Sequence, residues 1–202
     1  MRMFDSVVVA CDQGSLDVAL AVRGALELFR LTVHLYFCVQ KRNVLDLLGG
    51  KIPDADHVVL CSHGLGSEGS PDESGAEMRM GFLVVDEVDG KWQKVEVALT
   101  PGNIPDLVRL PGRTVVSLGC ASGREPIAKA FLQCGCRGYA GPVLPVNQDS
   151  TALFAIAFFY YLLSSDRDAS LKCGEAEAAQ RAGALDTGFR EGTGSFRYYA
   201  RE

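Results

Sequence analysis

A three-layer α/β/α sandwich around a mostly parallel sheet is the fold class this sequence predicts. Short runs of branched and aromatic residues recur along the chain, and segments of helical period separate them. The runs are dominated by Val, Leu, Tyr and Cys, as strands covered by helices on both faces are. With 202 residues and 48% apolar content the chain can fill one sizeable core, so a single domain over 1–202 is expected.

The strands expected are Ser6 to Cys11, Leu31 to Val39, His57 to Ser62, Thr114 to Leu118 and Gly138 to Val146. Between the first two, Ser15 is placed to cap a helix running to about Phe29, with Leu16, Ala19, Leu20, Ala25, Leu26 and Leu28 forming its apolar stripe. Asn43 to Leu48 reads as a shorter helix. The stretch from Leu65 to Leu110 departs from this rhythm. Glycines and acids lead there into two alternating runs, Phe82 to Val88 and Lys94 to Ala98, around Asp89-Gly90, which predicts a small inserted β-hairpin. Thr100-Pro101 opens a turn or short helix. Pro126 to Cys134 reads as a helix with proline in its first turn and Gly135 just past its end. Asp149 or Ser150 then caps an almost wholly apolar, buried helix from Thr151 to Leu163.

Composition excludes several partners. A net charge of −5 supplies no basic field for a phosphate backbone, so nucleic acid is not an expected partner. Seven cysteines is an odd number, and they lie inside apolar runs (Cys11, Cys38, Cys61) as often as near glycines (Cys120, Cys134, Cys136). That is not the pattern of a disulfide framework, and it suits a reducing compartment. The run Val7 to Cys11 stops at Asp12, too short for a signal peptide, and the uncharged stretch Ser150 to Ser165 falls short of the ~20 residues of a membrane span. A cytoplasmic protein with no membrane partner is expected. No cofactor is expected either, because His57, Cys61 and His63 alternate along one strand without the further ligands a metal would need.

Ligands of open parallel sheets bind beyond the carboxyl ends of the strands. Two such ends carry chemistry. The apolar run from His57 delivers His63-Gly64 into a glycine-rich loop, and the run from Thr114 delivers Gly119-Cys120 at the turn into the next helix. A thiol beside an imidazole forms the thiolate that attacks a carbonyl, and the imidazolium then protonates the leaving amine. Gly64 lets a backbone N–H approach the substrate, and the Cys120 N–H lies near the expected helix start, so the two form a candidate oxyanion hole. The opposing reading is that a free cysteine is a small buried hydrophobe, as Cys11, Cys38, Cys61, Cys134 and Cys173 are taken to be. Chain order narrows the chemistry. Amidotransferase-like enzymes and α/β-hydrolases place their histidine after the nucleophile, whereas His34, His57 and His63 all precede Cys120.

An apolar strand ending in His63-Gly64, followed some tens of residues later by one ending in Gly119-Cys120, resembles the caspase-like (clan CD) cysteine peptidases. More particularly, the chain resembles their CHAT subfamily from His57 onward. Ile127 to Leu132, Cys134 to Gly138, Leu144 to Gln148 and Phe158 to Leu162 stand where that subfamily has an Ala-Phe-rich helix, a Gly-Ala-Arg-like turn, a Trp-Pro-Val-Asp-Asp segment and a Phe-Tyr helix. Leu144, Asn147 and Gln148 replace the tryptophan and the two acids. The resemblance implies a caspase-like fold and a cysteine endopeptidase acting on a peptide or protein substrate, with His63 and Cys120 as the catalytic dyad. The chain shows no helical-repeat partner domain, so any regulator is expected to be a separate protein. Members that cut after basic residues need an acid to pair the buried cation. Asp12 and Asp149 are the two candidates, and cleavage after Lys or Arg with Asp12 as the pocket acid is expected, although Asp12 also suits a turn with Gly14 and Asp149 a helix cap. The alternative function is a catalytically inactive binding or scaffold domain of the same fold.

Overall fold

The computed structural model describes residues 6–65, 79–167, 173–185 and 195–201. A six-stranded sheet runs through it in the order β2-β1-β3-β7-β8-β9. These strands are β1 (Ser6–Cys11), β2 (Thr32–Phe37), β3 (His57–Cys61), β7 (Thr114–Ser117), β8 (Gly138–Pro142) and β9 (Phe196–Ala200). The first five are parallel and β9 is antiparallel to β8. A second, antiparallel sheet consists of β4 (His63–Leu65), β5 (Arg79–Val88) and β6 (Lys91–Leu99), with β5 and β6 joined at Asp89-Gly90 as the dipeptide predicts. Asp89 and Gly90 both take positive φ, 52° and 73°, the turn conformation that favours this pair.

The sheet is covered on both faces because its strands are apolar on both faces. Val7, Val9, Cys11, Val59, Cys61 and Val116 point to one side, where α1 (Leu16–Leu28), α5 (Gln148–Arg167) and α6 (Glu175–Leu185) pack with Leu26, Phe154, Phe158 and Phe159. Val8, Ala10, Val58, Leu60 and Val115 point to the other, against Leu47, Leu48, Ile104 and Phe131 of α2 (Lys41–Leu48), α3 (Ile104–Leu107) and α4 (Glu125–Gln133). The hairpin sheet joins this second face through Met80, Phe82, Val84, Val97 and Leu99. Burying each such side chain contributes roughly 1.5–3 kcal/mol, so each face of the sheet carries its own apolar core and the three layers are held together by both.

Three details differ from expectation. Ser15 precedes α1 but makes no cap; Asp12 instead caps a 3₁₀ turn, Gln13–Ser15, that carries the chain into the helix. β8 stops at Pro142 rather than Val146, leaving residues 143–147 as a loop at the sheet edge. Apolar patterning also passed over α6 and β9. Both are anchored by one half-buried acid. Glu175 lies 3.0 Å from His57 Nε2 and accepts from Thr114 Oγ1 at 2.8 Å, Tyr198 at 2.6 Å and Arg137 at 2.8 Å. Burial opposes its charge, but these donors hold its pKa down at about 2. No helix among the described residues is long and apolar enough to cross a membrane.

Candidate active site

The strand order reverses between β1 and β3, and Asp12 and His63 stand on either side of that point, at the carboxyl edge. The chain leaves the main sheet at Ser62 and enters the hairpin sheet at once, with His63 opposite Gly81. That change of sheet carries the imidazole out beyond the strand ends.

His63 Nε2 lies 3.3 Å from Oδ1 of Asp12, whose side chain is wholly buried while that of His63 is 32% exposed. The contact is electrostatic rather than directional, since Nε2 has no acceptor aligned with its N–H. Asp12 is held firmly. Oδ1 accepts from the Ser15 N–H at 3.0 Å and lies 2.8 Å from the Ser15 hydroxyl, and Oδ2 accepts from the Leu83 N–H at 2.7 Å. Ser15 Oγ is also 2.6 Å from the Cys61 carbonyl, so its one proton is shared between strand and acid. Burial works to raise the Asp12 carboxyl, but His63, Leu83 and Ser15 outweigh it and bring its pKa below 3.8. His63 moves the other way. Asp12 raises its pKa above 6.5 against the effect of burial, and Glu96 adds a smaller push. Gly14 makes room for this pair, because a Cβ there would stand 2.8 Å from Nε2.

Cys120 lies in the turn after β7, ahead of α4, which begins only at Glu125. The expected nearness of its N–H to the helix start is therefore not met. What defines its backbone is close packing on Gly64, where a Cβ would fall 1.6 Å from the Cys120 carbonyl oxygen and 2.5 Å from its nitrogen. The Cys120 N–H makes no hydrogen bond among the described residues. Ala121 takes φ 55°, a left-handed conformation costly for a residue with a Cβ, and its N–H donates to the Leu144 carbonyl at 3.1 Å. The Cys120 thiol donates to the Val146 carbonyl at 3.2 Å. The imidazole thus leans toward the β1 loop and the thiol toward the β8 loop, with the Gly64–Gly119 contact between them.

The remaining cysteines are packing thiols. Burial pushes Cys11 up to about 11 and Cys38 and Cys136 to about 12, and raises Cys61, Cys134 and Cys173 as well. Of the two acids expected at a substrate pocket, Asp12 is buried with both oxygens engaged, which leaves it the neighbour of His63 and not an open receptor for a substrate cation. α5 begins at Gln148, so Asp149 and Ser150 lie inside it and neither is the cap expected; Asp149 is exposed in its first turn, after the loop whose Val146 holds the thiol. Of the residues after the nucleophile, Ser122 is buried, Arg124 donates to the Val143 carbonyl and Glu125 pairs with Lys129. Sequence reasoning did not single out Ser15, Leu83, Glu96 or Val146 for the site. Only Glu96 carried a signal, as the acid alternating inside the Lys94 to Ala98 run. No metal-binding group of His, Cys, Asp and Glu occurs among the described residues.

No family model matches the sequence, and no curated protein matches it. Among solved structures, the chain is similar to a flavodoxin of Streptococcus pneumonia TIGR4 at 16% identity and a TM-score of 0.37, over 80% of this chain and 98% of that one. The class defined here is an α/β/α sandwich whose carboxyl edge carries a buried acid, a histidine and a cysteine in neighbouring loops.

Proposed function

We propose that the protein is a cysteine endopeptidase of the caspase-like kind, with His63 as general base and acid and Cys120 as nucleophile. The observation that carries this reading is the packing of Gly64 on the Cys120 backbone, which joins the histidine loop to the cysteine turn. A binding module has no need for so close a junction at that point.

Asp12 makes His63 a better proton acceptor and draws Nε2 to its own side. With Nε2 turned to the acid, Nδ1 serves the reaction. His63 takes the thiol proton, and the Cys120 thiolate attacks the scissile carbonyl carbon. As the C–S bond forms, the carbonyl oxygen gains negative charge, for which the Cys120 N–H is an available donor. The C–N bond then breaks, and imidazolium gives its proton to the leaving amine. Water hydrolyses the thioester, with His63 again as base, and restores the thiol. Since thiol and imidazole lean to opposite sides, the substrate carbonyl sits between them. Preference for a basic residue at the cleaved bond falls to Asp149 as the exposed acid beside the thiol loop.

A fluorogenic peptide panel tests this reading. Wild-type protein should hydrolyse some members, with Lys or Arg before the cleaved bond preferred, and Cys120→Ala and His63→Ala should each lose that activity while keeping the wild-type fold. Hydrolysis that survives Cys120→Ala, or none on any peptide, would leave the scaffold function as the better account.

A further inference from the structure

Beside the Asp12–His63 pair, but outside the proposed chemistry, lies a cavity of about 550 Å³ between the ends of β1 and β2 and the hairpin. Its size is that of a small-molecule site. Leu16, Phe37, Val39, Leu83 and Val85 supply apolar walls, with Gln13 and Gly14 from the turn after β1. Phe37, Val39 and Leu83 are 41%, 46% and 49% exposed, so three large apolar side chains of one cavity face solvent together. Such clustering marks a binding surface more than scattered exposure does.

Charge decides the occupant. Among the described residues that line the cavity, Lys94 is the one with a standing charge; the other titratable group there is the buried Cys38 thiol, which burial holds neutral. Of the acids near it, Asp86 alternates to the other face of the hairpin and lies 4.0 Å from Lys41, Glu96 shares the Lys94 face and lies 3.9 Å from Arg79, and Glu87 stands exposed on that face toward the hairpin turn. Among the described residues Lys94 makes no ion pair.

We propose that this cavity binds an amphipathic carboxylate, its apolar chain against Leu16, Phe37 and Leu83 and its carboxylate on Lys94. Glu96 lies two residues further along β6 from Lys94, toward His63, and so repels the anionic end from that direction. The site needs no peptidase activity. It is nonetheless joined to the pair, since the Leu83 N–H donates to Asp12 and Gly14 is shared by the cavity wall and the His63 contact.

The test is a titration with sodium decanoate below its micelle concentration, read by backbone amide NMR shifts and by fluorescence of Trp92, the chain's one tryptophan, two residues from Lys94 on β6. Decyltrimethylammonium serves as the charge-reversed probe. Expected are saturable one-site binding, amide shifts centred on Gly14, Leu83 and Val85, and about fivefold weaker binding of decanoate to Lys94→Gln, an exposed and fold-neutral change. Leu83→Glu, which places a carboxylate in the cavity mouth, should abolish binding. Equal affinity for the two probes, equal affinity of Lys94→Gln, shifts centred elsewhere or absence of saturation would each overturn the proposal.

Discussion

Asp12, wholly buried at the end of β1, lies 3.3 Å from His63 at the end of β3, and the two shift each other's protonation in opposite directions. His63 is raised, so its share of the stability is present below pH 6.5 and fades as pH rises through its folded value. Asp12 is lowered, so its share is present above pH 3.8 and fades as pH falls through its folded value. The pair therefore contributes most between these limits. In Asp12→Asn the His63 pKa should fall toward 6.5, read by imidazole proton NMR, and folding should weaken by about 2 kcal/mol at pH 6. An unchanged His63 titration would refute the coupling.

Cys120 should be the first thiol alkylated. Limiting iodoacetamide followed by peptide mass spectrometry should find label at Cys120 before Cys11, Cys38, Cys61 or Cys136, whose thiols burial holds neutral. Asp12→Asn should slow the labelling, because a less basic His63 draws the thiol proton more weakly. Uniform labelling of folded protein would speak against an activated cysteine.

Gly64→Ala should damage the site from the backbone. Its Cβ would meet the Cys120 carbonyl oxygen at 1.6 Å, so one of the two loops must move. Denaturant melts should show a loss of about 3 kcal/mol, and Cys120 alkylation should change even where the fold survives. Stability and labelling both matching wild type would mean that the junction is loose.

At the opposite edge of the sheet, Glu175 ties α6 to β3, β7 and β9. Its pKa is lowered from 4.5 to about 2, so its contribution is full above pH 4.5 and is lost as pH falls toward 2. Glu175→Gln should cost about 3 kcal/mol at neutral pH, and the cost should shrink in acid. A penalty independent of pH would assign the effect to packing instead.

Much of this architecture was legible from local pattern. The five parallel strands, the Asp89-Gly90 hairpin and α1, α2, α4 and α5 follow from apolar period and turn chemistry, which act over a few residues. His63-Gly64 and Gly119-Cys120 were visible as strand ends for the same reason. By contrast, α6 and β9 are held by a half-buried acid whose donors come from distant segments, His57, Thr114 and Arg137, and no local period records such a bond.

The sequence by itself determined that a histidine and a cysteine stand at the ends of two apolar strands with glycine beside each, because strand composition and the backbone freedom of glycine are local properties. Only the tertiary structure decided what they face. Putting β1 beside β3 turns Asp12 from a candidate pocket acid into the partner of His63, and putting β7 on the other side of β3 presses Cys120 onto Gly64. Side-chain partners in a parallel sheet are set by strand order, and strand order is chosen by burial summed over the whole core.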